Sequence, residues 1–212
     1  AVGWKLKEQA GRKAIALELG GNAPVIVDET ANLENSLERA VMGAFTYSGQ
    51  VCISVQRVYL HETIFDEWTT KFVEKAKNLH TGNPLDRLTQ LSVLIDEAAA
   101  EKAEKMIAEA TDNGAELLCG GQRAGGMMDA TVLTRTTNEM RVAADEAFAP
   151  VAVVEKFLDF DEAIELANHT KYGLQAGVFT RDLARARQAA RELEYGGVLI
   201  NDVPTFRVDN MP

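Results

Sequence analysis

The sequence predicts an α/β fold, a three-layer αβα arrangement in which a mostly parallel sheet is covered by helices on both faces. Two observations carry the prediction. Short Val- and Ile-rich runs alternate along the chain with amphipathic stretches of helical period. The run at 151–157 opens with four apolar residues in succession, Val151-Ala152-Val153-Val154, as a strand buried on both faces requires. With 212 residues, 46% of them hydrophobic, the chain is long enough to bury a substantial core.

The elements follow in order. Strands are expected at 14–19 and 24–28. A helix then opens near Asn32, a side chain suited to cap it, and carries Leu33, Leu37, Val41, Ala44 and Phe45 on one stripe. Residues 56–61 read as a strand, and Ile64, Phe65, Trp68, Phe72 and Ala76 mark the next helix. Past Gly82-Asn83-Pro84, an Ala/Glu/Lys-rich helix spans 96–113, and Gly114 stands where a left-handed cap is expected. Short strands at 116–119 and 131–133 flank a Gly-rich stretch, 120–126. That stretch lacks the strand–GxGxxG–helix context of a dinucleotide fold and reads as a surface loop. The pattern closes with strand 151–157, helix 161–168, strand 175–180, helix 182–193 and strand 198–201.

Composition excludes several classes. A formal charge of −10 opposes nucleic-acid binding, which needs clustered Lys and Arg. No apolar run is long enough for a membrane-spanning helix. The two cysteines, Cys52 and Cys119, and three histidines lack metal-ligand spacing, so no metal is expected. Free thiols of this kind fit a reducing, cytoplasmic compartment. The first residues have neither the basic start nor the apolar stretch of a signal peptide. No initiator Met is present and the chain stops at Asn210-Met211-Pro212, which suggests an excised fragment.

Three loops could carry chemistry. In Leu17-Glu18-Leu19-Gly20-Gly21-Asn22-Ala23-Pro24, paired glycines let the backbone turn sharply and approach a ligand closely. Taken alone, such a Glu is a turn residue. In Tyr47-Ser48-Gly49-Gln50-Val51-Cys52-Ile53-Ser54, the thiol sits at a helix-to-loop junction where backbone N–H groups can face a developing negative charge. A Cys flanked by Val and Ile also reads as a small buried hydrophobe. The third loop, Asp145-Glu146-Ala147-Phe148-Ala149-Pro150-Val151, is an acidic pair and an aromatic entering a buried strand, or simply helix-end charges and a core Phe. Cys119, in the apolar run Leu117-Leu118-Cys119, reads as structural.

Together, in this order, the loops resemble the aldehyde dehydrogenase superfamily. Glu18-Leu19-Gly20-Gly21-Asn22-Ala23-Pro24 looks like its glutamate motif. Gly49-Gln50-Val51-Cys52 looks like its nucleophile motif, with Cys52 at the family's separation of 34 positions from Glu18. Asp145–Val151 is similar to its EEIFGPV segment. Further resemblance runs through Gly82-Asn83-Pro84, Tyr172-Gly173-Leu174 and Gly197-Val198-Leu199-Ile200-Asn201, over nearly the whole chain.

The resemblance implies a catalytic domain of aldehyde dehydrogenase type and an NAD- or NADP-dependent oxidation of an aldehyde to a carboxylic acid. Cys52 would attack the aldehyde to give a thiohemiacetal, whose hydride passes to the nicotinamide, and water would hydrolyse the resulting thioester. Glu18 would activate that water from a partly dry site. Glu146 would hydrogen-bond the nicotinamide ribose, Phe148 would pack on the nicotinamide ring, and Gly20 would also contact the cofactor. Gln50, Val51, Ile53 and Asn201 would lie at the substrate pocket. Two departures stand out: Asp145 replaces the first Glu of the segment, and Ala149 replaces the Gly before Pro150, adding a Cβ to the local backbone path.

By the same resemblance, residues 1–18 are a stub of the cofactor-binding domain and 19–212 the catalytic domain. The phosphate-binding turn and an oxyanion-holding Asn would precede Ala1, so the isolated chain is expected to have little or no activity. The whole protein would be a homodimer or homotetramer. Two alternatives stay open: an acylating relative that passes the thioester to coenzyme A, against which Glu18 argues, and a non-catalytic scaffold with the same fold.

Overall fold

A computed structural model describes residues 2–210. Ala1, Met211 and Pro212, where the two expected segments begin and end, lie outside the described residues. The chain forms helices α1 (Val2–Gln9), α2 (Leu33–Phe45), α3 (Glu62–Lys77), α4 (Glu97–Asp112), α5 (Arg141–Ala144), α6 (Phe160–Asn168) and α7 (Leu183–Glu192). The strands are β1 (Ala23–Val27), β2 (Val55–His61), β3 (Glu116–Cys119), β4 (Arg123–Ala124), β5 (Met127–Met128), β6 (Thr131–Thr134), β7 (Val151–Phe157), β8 (Gln175–Phe179) and β9 (Gly197–Ile200).

Seven strands make one sheet in the order β3-β6-β7-β2-β1-β8-β9, and every pairing is parallel except β3 with β6. The expected three layers are present. Alternation along the strands sorts the side chains: Val25, Val27, Val58, Leu60, Ala152 and Val154 face α2 and α3 in one apolar cluster. Ile26, Tyr59 and Phe157 face α6 and α7, while Val151 and Val153 join α4 and α5 on that same side. Trp68 of α3 is fully buried, stacks on Phe72 at 4.8 Å and donates its indole N–H to Ser36 Oγ of α2 at 2.9 Å. That bond locks the two helices of the first layer together.

Helix starts obey local chemistry. Asn32, Asp96, Asp159 and Asp182 each accept a backbone N–H of the following helix's first turn. Gly114 ends α4 with φ +100°, as its cap role requires.

Two expectations are corrected, and one element was not foreseen. Residues 14–19 form no strand: no described strand runs beside them to complete a ladder, and all but Leu17 are exposed. The 120–126 stretch is not a plain loop but leads into a two-stranded hairpin, β4 with β5, turning at Gly125 (φ +60°). The short helix α5 was not anticipated, because four residues hold too little periodicity to register.

Candidate active site

Each of the three loops singled out by sequence leads into the amino end of a strand: 18–22 into β1, 47–54 into β2 and 145–150 into β7. These strands are consecutive neighbours in the sheet, β7-β2-β1, and all parallel. Sheet order therefore gathers at one edge three segments that are far apart in the chain.

Glycines make the contacts close. A Cβ on Gly21 would lie 2.0 Å from the Cys52 carbonyl oxygen, and one on Gly20 would lie 2.4 Å from Glu146 Oε2. Gly49 has φ +71°, and a Cβ there would lie 2.0 Å from the Ala149 carbonyl oxygen. Each loop thus touches another through backbone that only glycine permits. The Gly21 N–H also donates to Glu146 Oε1 at 2.9 Å.

Cys52 is half-buried, held in the loop after α2. Tyr47, Ser48 and Gly49 occupy the left-handed region in succession, which reverses the chain sharply ahead of the thiol. Ser48 secures this turn: its hydroxyl donates to the Ser92 carbonyl at 3.1 Å and accepts from the Ser92 N–H at 2.9 Å. Gln50 does the same from the other side. Its Oε1 accepts from the Ile95 N–H at 2.8 Å and its Nε2 donates to the Tyr47 carbonyl, so its amide is engaged in holding the loop. Val51 and Ile53 flank the thiol half-buried, and the Ser54 N–H donates to the Val51 carbonyl at 2.9 Å.

Burial pushes the Cys52 thiol above its ordinary pKa, and the nearby Glu18 and Glu146 carboxylates push in the same direction. Hydrogen bonding from the backbone of Cys52 and Ile53 to the sulfur opposes them. The depressed pKa associated with catalytic thiols is therefore not present in this chain by itself, because burial, and after it the two carboxylates, disfavour the thiolate. The backbone donors facing the sulfur are nonetheless the electrostatic setting expected at a helix-to-loop junction. Cys119 lies buried in β3 with its thiol directed at the Ala130 carbonyl, and burial raises its pKa as well.

Glu18 is exposed, so the partly dry surroundings expected for it are not supplied by this chain. Phe148 has φ +52° and is 41% exposed, beside the half-buried Glu146. Ala149 is buried at 3% exposure and absent from the positive-φ residues; its extra Cβ is accommodated, with the left-handed position falling on Phe148 instead. Asp145 accepts from Lys171 Nζ at 2.6 Å, and Lys171 and Arg141 hold its pKa below the ordinary carboxylate range.

Asn201 is not brought to these loops. It follows β9 at the carboxyl end of the sheet, level with Val27 by register and about 13 Å along the strands from Ala23. Its Oδ1 accepts from the Thr180 N–H at 3.0 Å, which fixes the sheet edge.

Two residues unmarked by the sequence reading hold the site together. Gln56 Nε2 donates to the carbonyls of Val142 and Asp145, both at 2.8 Å, and its Oε1 accepts from the Ala147 N–H at 2.9 Å. Arg57, with 0% exposure, donates to the Asn22 carbonyl through Nε and Nη2. The signal was present: a polar pair, Gln56-Arg57, standing where a strand buried on both faces should be apolar.

The aldehyde dehydrogenase family model matches residues 1–212. The chain is 46% identical over 211 residues to a lactaldehyde dehydrogenase of Methanococcus aeolicus, covering 100% of this chain and 45% of that protein. Among solved structures it is similar to an aldehyde dehydrogenase of Physcomitrella patens in complex with the reaction product succinate. That match has TM-score 0.96 and 42% identity, and covers all of this chain and 44% of the other. It is equally similar to a glyceraldehyde-3-phosphate dehydrogenase of Methanocaldococcus jannaschii complexed with NADP, with TM-score 0.96 and 42% identity over all of this chain and 46% of that one. The chain spans less than half the length of these relatives. Across its full described length, in sequence and in fold, the chain belongs to the aldehyde dehydrogenase family.

Proposed function

We propose that this chain is the catalytic portion of an NAD(P)-dependent aldehyde dehydrogenase that makes carboxylic acids, with Cys52 as nucleophile and Glu18 as its base. The observation that carries the reading is the convergence of three loops at one sheet edge, with Gly21 against the Cys52 carbonyl and bonded to Glu146.

The chemistry follows from these residues. Cys52 must lose its proton before it attacks, because burial and two carboxylates keep the thiol protonated near neutral pH. Glu18 is the carboxylate with the larger influence on the sulfur, which supports it as the acceptor for that proton. Attack on the aldehyde gives a thiohemiacetal whose oxyanion meets the Cys52 backbone N–H. A nicotinamide, when bound, supplies the hydride acceptor that converts the thiohemiacetal to a thioester. Glu18, its first proton given up to solvent from its exposed position, then takes a proton from water as the hydroxyl attacks the thioester, expelling the Cys52 thiolate and releasing the acid.

The residues present fit such a cofactor. Phe148 is exposed on a left-handed backbone, and Gly20, lacking a Cβ, lets the Glu146 carboxylate pack against its loop. Glu146 Oε2 would accept from ribose hydroxyls while Oε1 keeps Gly21. The relatives' names support either NAD or NADP, since one is complexed with NADP and another is called NAD-dependent.

Residues 1–18 serve in this reading as the end of a cofactor-binding domain and 19–212 as the catalytic domain. No residue of helix α1 is fully buried, which supports that division. No helix among the described residues is long and apolar enough to cross a membrane. Two free thiols support a cytoplasmic location. A homodimer or homotetramer is the proposed assembly of the whole protein.

The test uses a polypeptide carrying this chain together with the remaining length its relatives possess. Cys52→Ser should abolish aldehyde oxidation. Glu18→Gln should slow the single-turnover burst of reduced nicotinamide and lower steady-state turnover by about 100-fold or more. Undiminished turnover in either variant rejects the assignment. A rate that rises with coenzyme A as acceptor, rather than with water, would replace it by the acylating alternative.

A further inference from the structure

Arg57 is fully buried and has no carboxylate partner among the described residues. Its guanidinium donates instead to backbone carbonyls and phenols. Nε and Nη2 reach the Asn22 carbonyl at 3.3 and 3.0 Å. Nη1 reaches the Leu166 carbonyl at 3.2 Å and the Tyr59 hydroxyl at 3.1 Å. Nη2 also reaches the Ala167 carbonyl at 3.1 Å and the Tyr195 hydroxyl at 2.8 Å. Tyr195 is anchored in turn by donating to the Ala167 carbonyl at 2.5 Å. A charge taken out of water without a counter-charge is costly, and its hydrogen-bonding geometry must be good to be tolerated at all.

The backbone shows where that grip acts. Ala23 pairs with Val55 but Pro24 pairs with Arg57, so the β1–β2 register slips at this point and Gln56 is passed over. Pro24 has no N–H to donate. The Asn22 carbonyl leaves the regular ladder and is taken by the Arg57 side chain. Asn22 follows Gly21, the residue packed against the Cys52 carbonyl and bonded to Glu146. One connected path therefore runs from the end of α6, through Arg57 and Asn22, to the loop that carries Glu18.

We propose that Arg57 is a positioning residue, which holds the Glu18–Asn22 loop at the distance from Cys52 that lets Glu18 act on the thiol. The inference rests on Cys52 and Glu18 having the roles proposed above. It predicts that the electrostatic influence of Glu18 on the sulfur depends on the Asn22 carbonyl being gripped.

Carboxamidomethylation of Cys52 by iodoacetamide, followed across pH at low salt in the 212-residue chain, reads that influence directly. Mass spectrometry separates it from Cys119. In the parent, Glu18→Gln should speed labelling near neutral pH by about two-fold or more, since it removes a like charge. In Arg57→Lys, which keeps the charge but loses the fork, and in Tyr195→Phe, which loosens it, that acceleration should fall to less than half. Arg57→Met should remove it. Slow Cys119 labelling certifies that each variant is folded; if Arg57→Met unfolds, the other two decide.

An undiminished response to Glu18→Gln in Arg57→Lys and Tyr195→Phe, even with lowered thermal stability, overturns the proposal and leaves Arg57 a core residue. A parent indifferent to Glu18→Gln overturns it as well. Failure of the underlying reading shows elsewhere, as aldehyde oxidation that survives Cys52→Ser.

Discussion

The Gly21 N–H donates to Glu146 Oε1 at 2.9 Å, although 125 positions separate the two residues in the chain. The bond ties the loop carrying Glu18 to the loop carrying Phe148, and the Cys52 carbonyl lies against the same glycine. The arrangement has consequences that can be measured.

The first concerns pH. Cys52 has its pKa raised by burial and by Glu18 and Glu146, so its thiolate fraction near neutrality is lower than for an ordinary thiol. Its alkylation rate should climb with a midpoint above the ordinary thiol value, and Glu146→Gln should move that midpoint down. A midpoint below the ordinary value in the isolated chain would contradict the electrostatics described here.

The second concerns the glycine contacts. Gly49→Ala forces a left-handed Ala into a carbonyl oxygen 2.0 Å away, and Gly21→Ala meets the Cys52 carbonyl at the same separation. Urea unfolding should show losses of about 2 kcal/mol or more for each. Gly114→Ala is the contrast, because φ is +100° but nothing lies within 4 Å. Its cost should stay near 1 kcal/mol, from backbone strain alone. Equal losses at all three positions would show that the close approaches carry no energy.

Gln56 supplies a third. Replacing it by Leu strands the Ala147 N–H and removes donors from the carbonyls of Val142 and Asp145, all near the buried end of β7. A loss of about 2–4 kcal/mol is expected, with Gln56→Glu restoring only the bond to Ala147. Hydrogen exchange should localise the damage to residues 142–148. Exchange that rises uniformly across the sheet instead would argue against a loop-specific clip.

A fourth prediction tests stability against pH. Burial raises the pKa of Glu155, while hydrogen bonds from the Thr136 N–H (2.6 Å) and hydroxyl (2.8 Å) limit the rise. The folded state therefore binds the proton more tightly than the unfolded chain. This contribution is present below the ordinary Glu value and is lost as pH rises through the raised folded value. The stability difference between parent and Glu155→Gln should shift against the parent across that window. A difference that is flat with pH, or that moves the other way, would remove Glu155 as the source.

Much of the fold was legible because its causes are local. The stripe of Leu33, Leu37, Ala44 and Phe45 and the cap at Asn32 specify α2 without reference to anything distant. The same holds for Asp96 and Gly114 at the two ends of α4. Residues 14–19 show the limit. Their composition suits a strand, but a strand exists only where another backbone completes its hydrogen bonds, and none of the described strands does so. Asn201 shows it again, since its place at the carboxyl end of β9 depends on strand direction and register, which local pattern does not encode.

The site divides in the same way. By itself the sequence determined which loops are able to carry chemistry, because paired glycines, a thiol after a helix and an acidic–aromatic turn are statements about short segments, and their order and spacing resemble one family. Only the tertiary structure decided that those loops meet. That outcome depends on the sheet order β7-β2-β1, set by long-range pairing, which brings three amino-terminal strand ends side by side. It also depends on a register slip at Ala23/Pro24 that frees the Asn22 carbonyl for Arg57. A buried guanidinium that grips a carbonyl 35 positions away has no signature in the chain beyond its own improbability in an apolar strand.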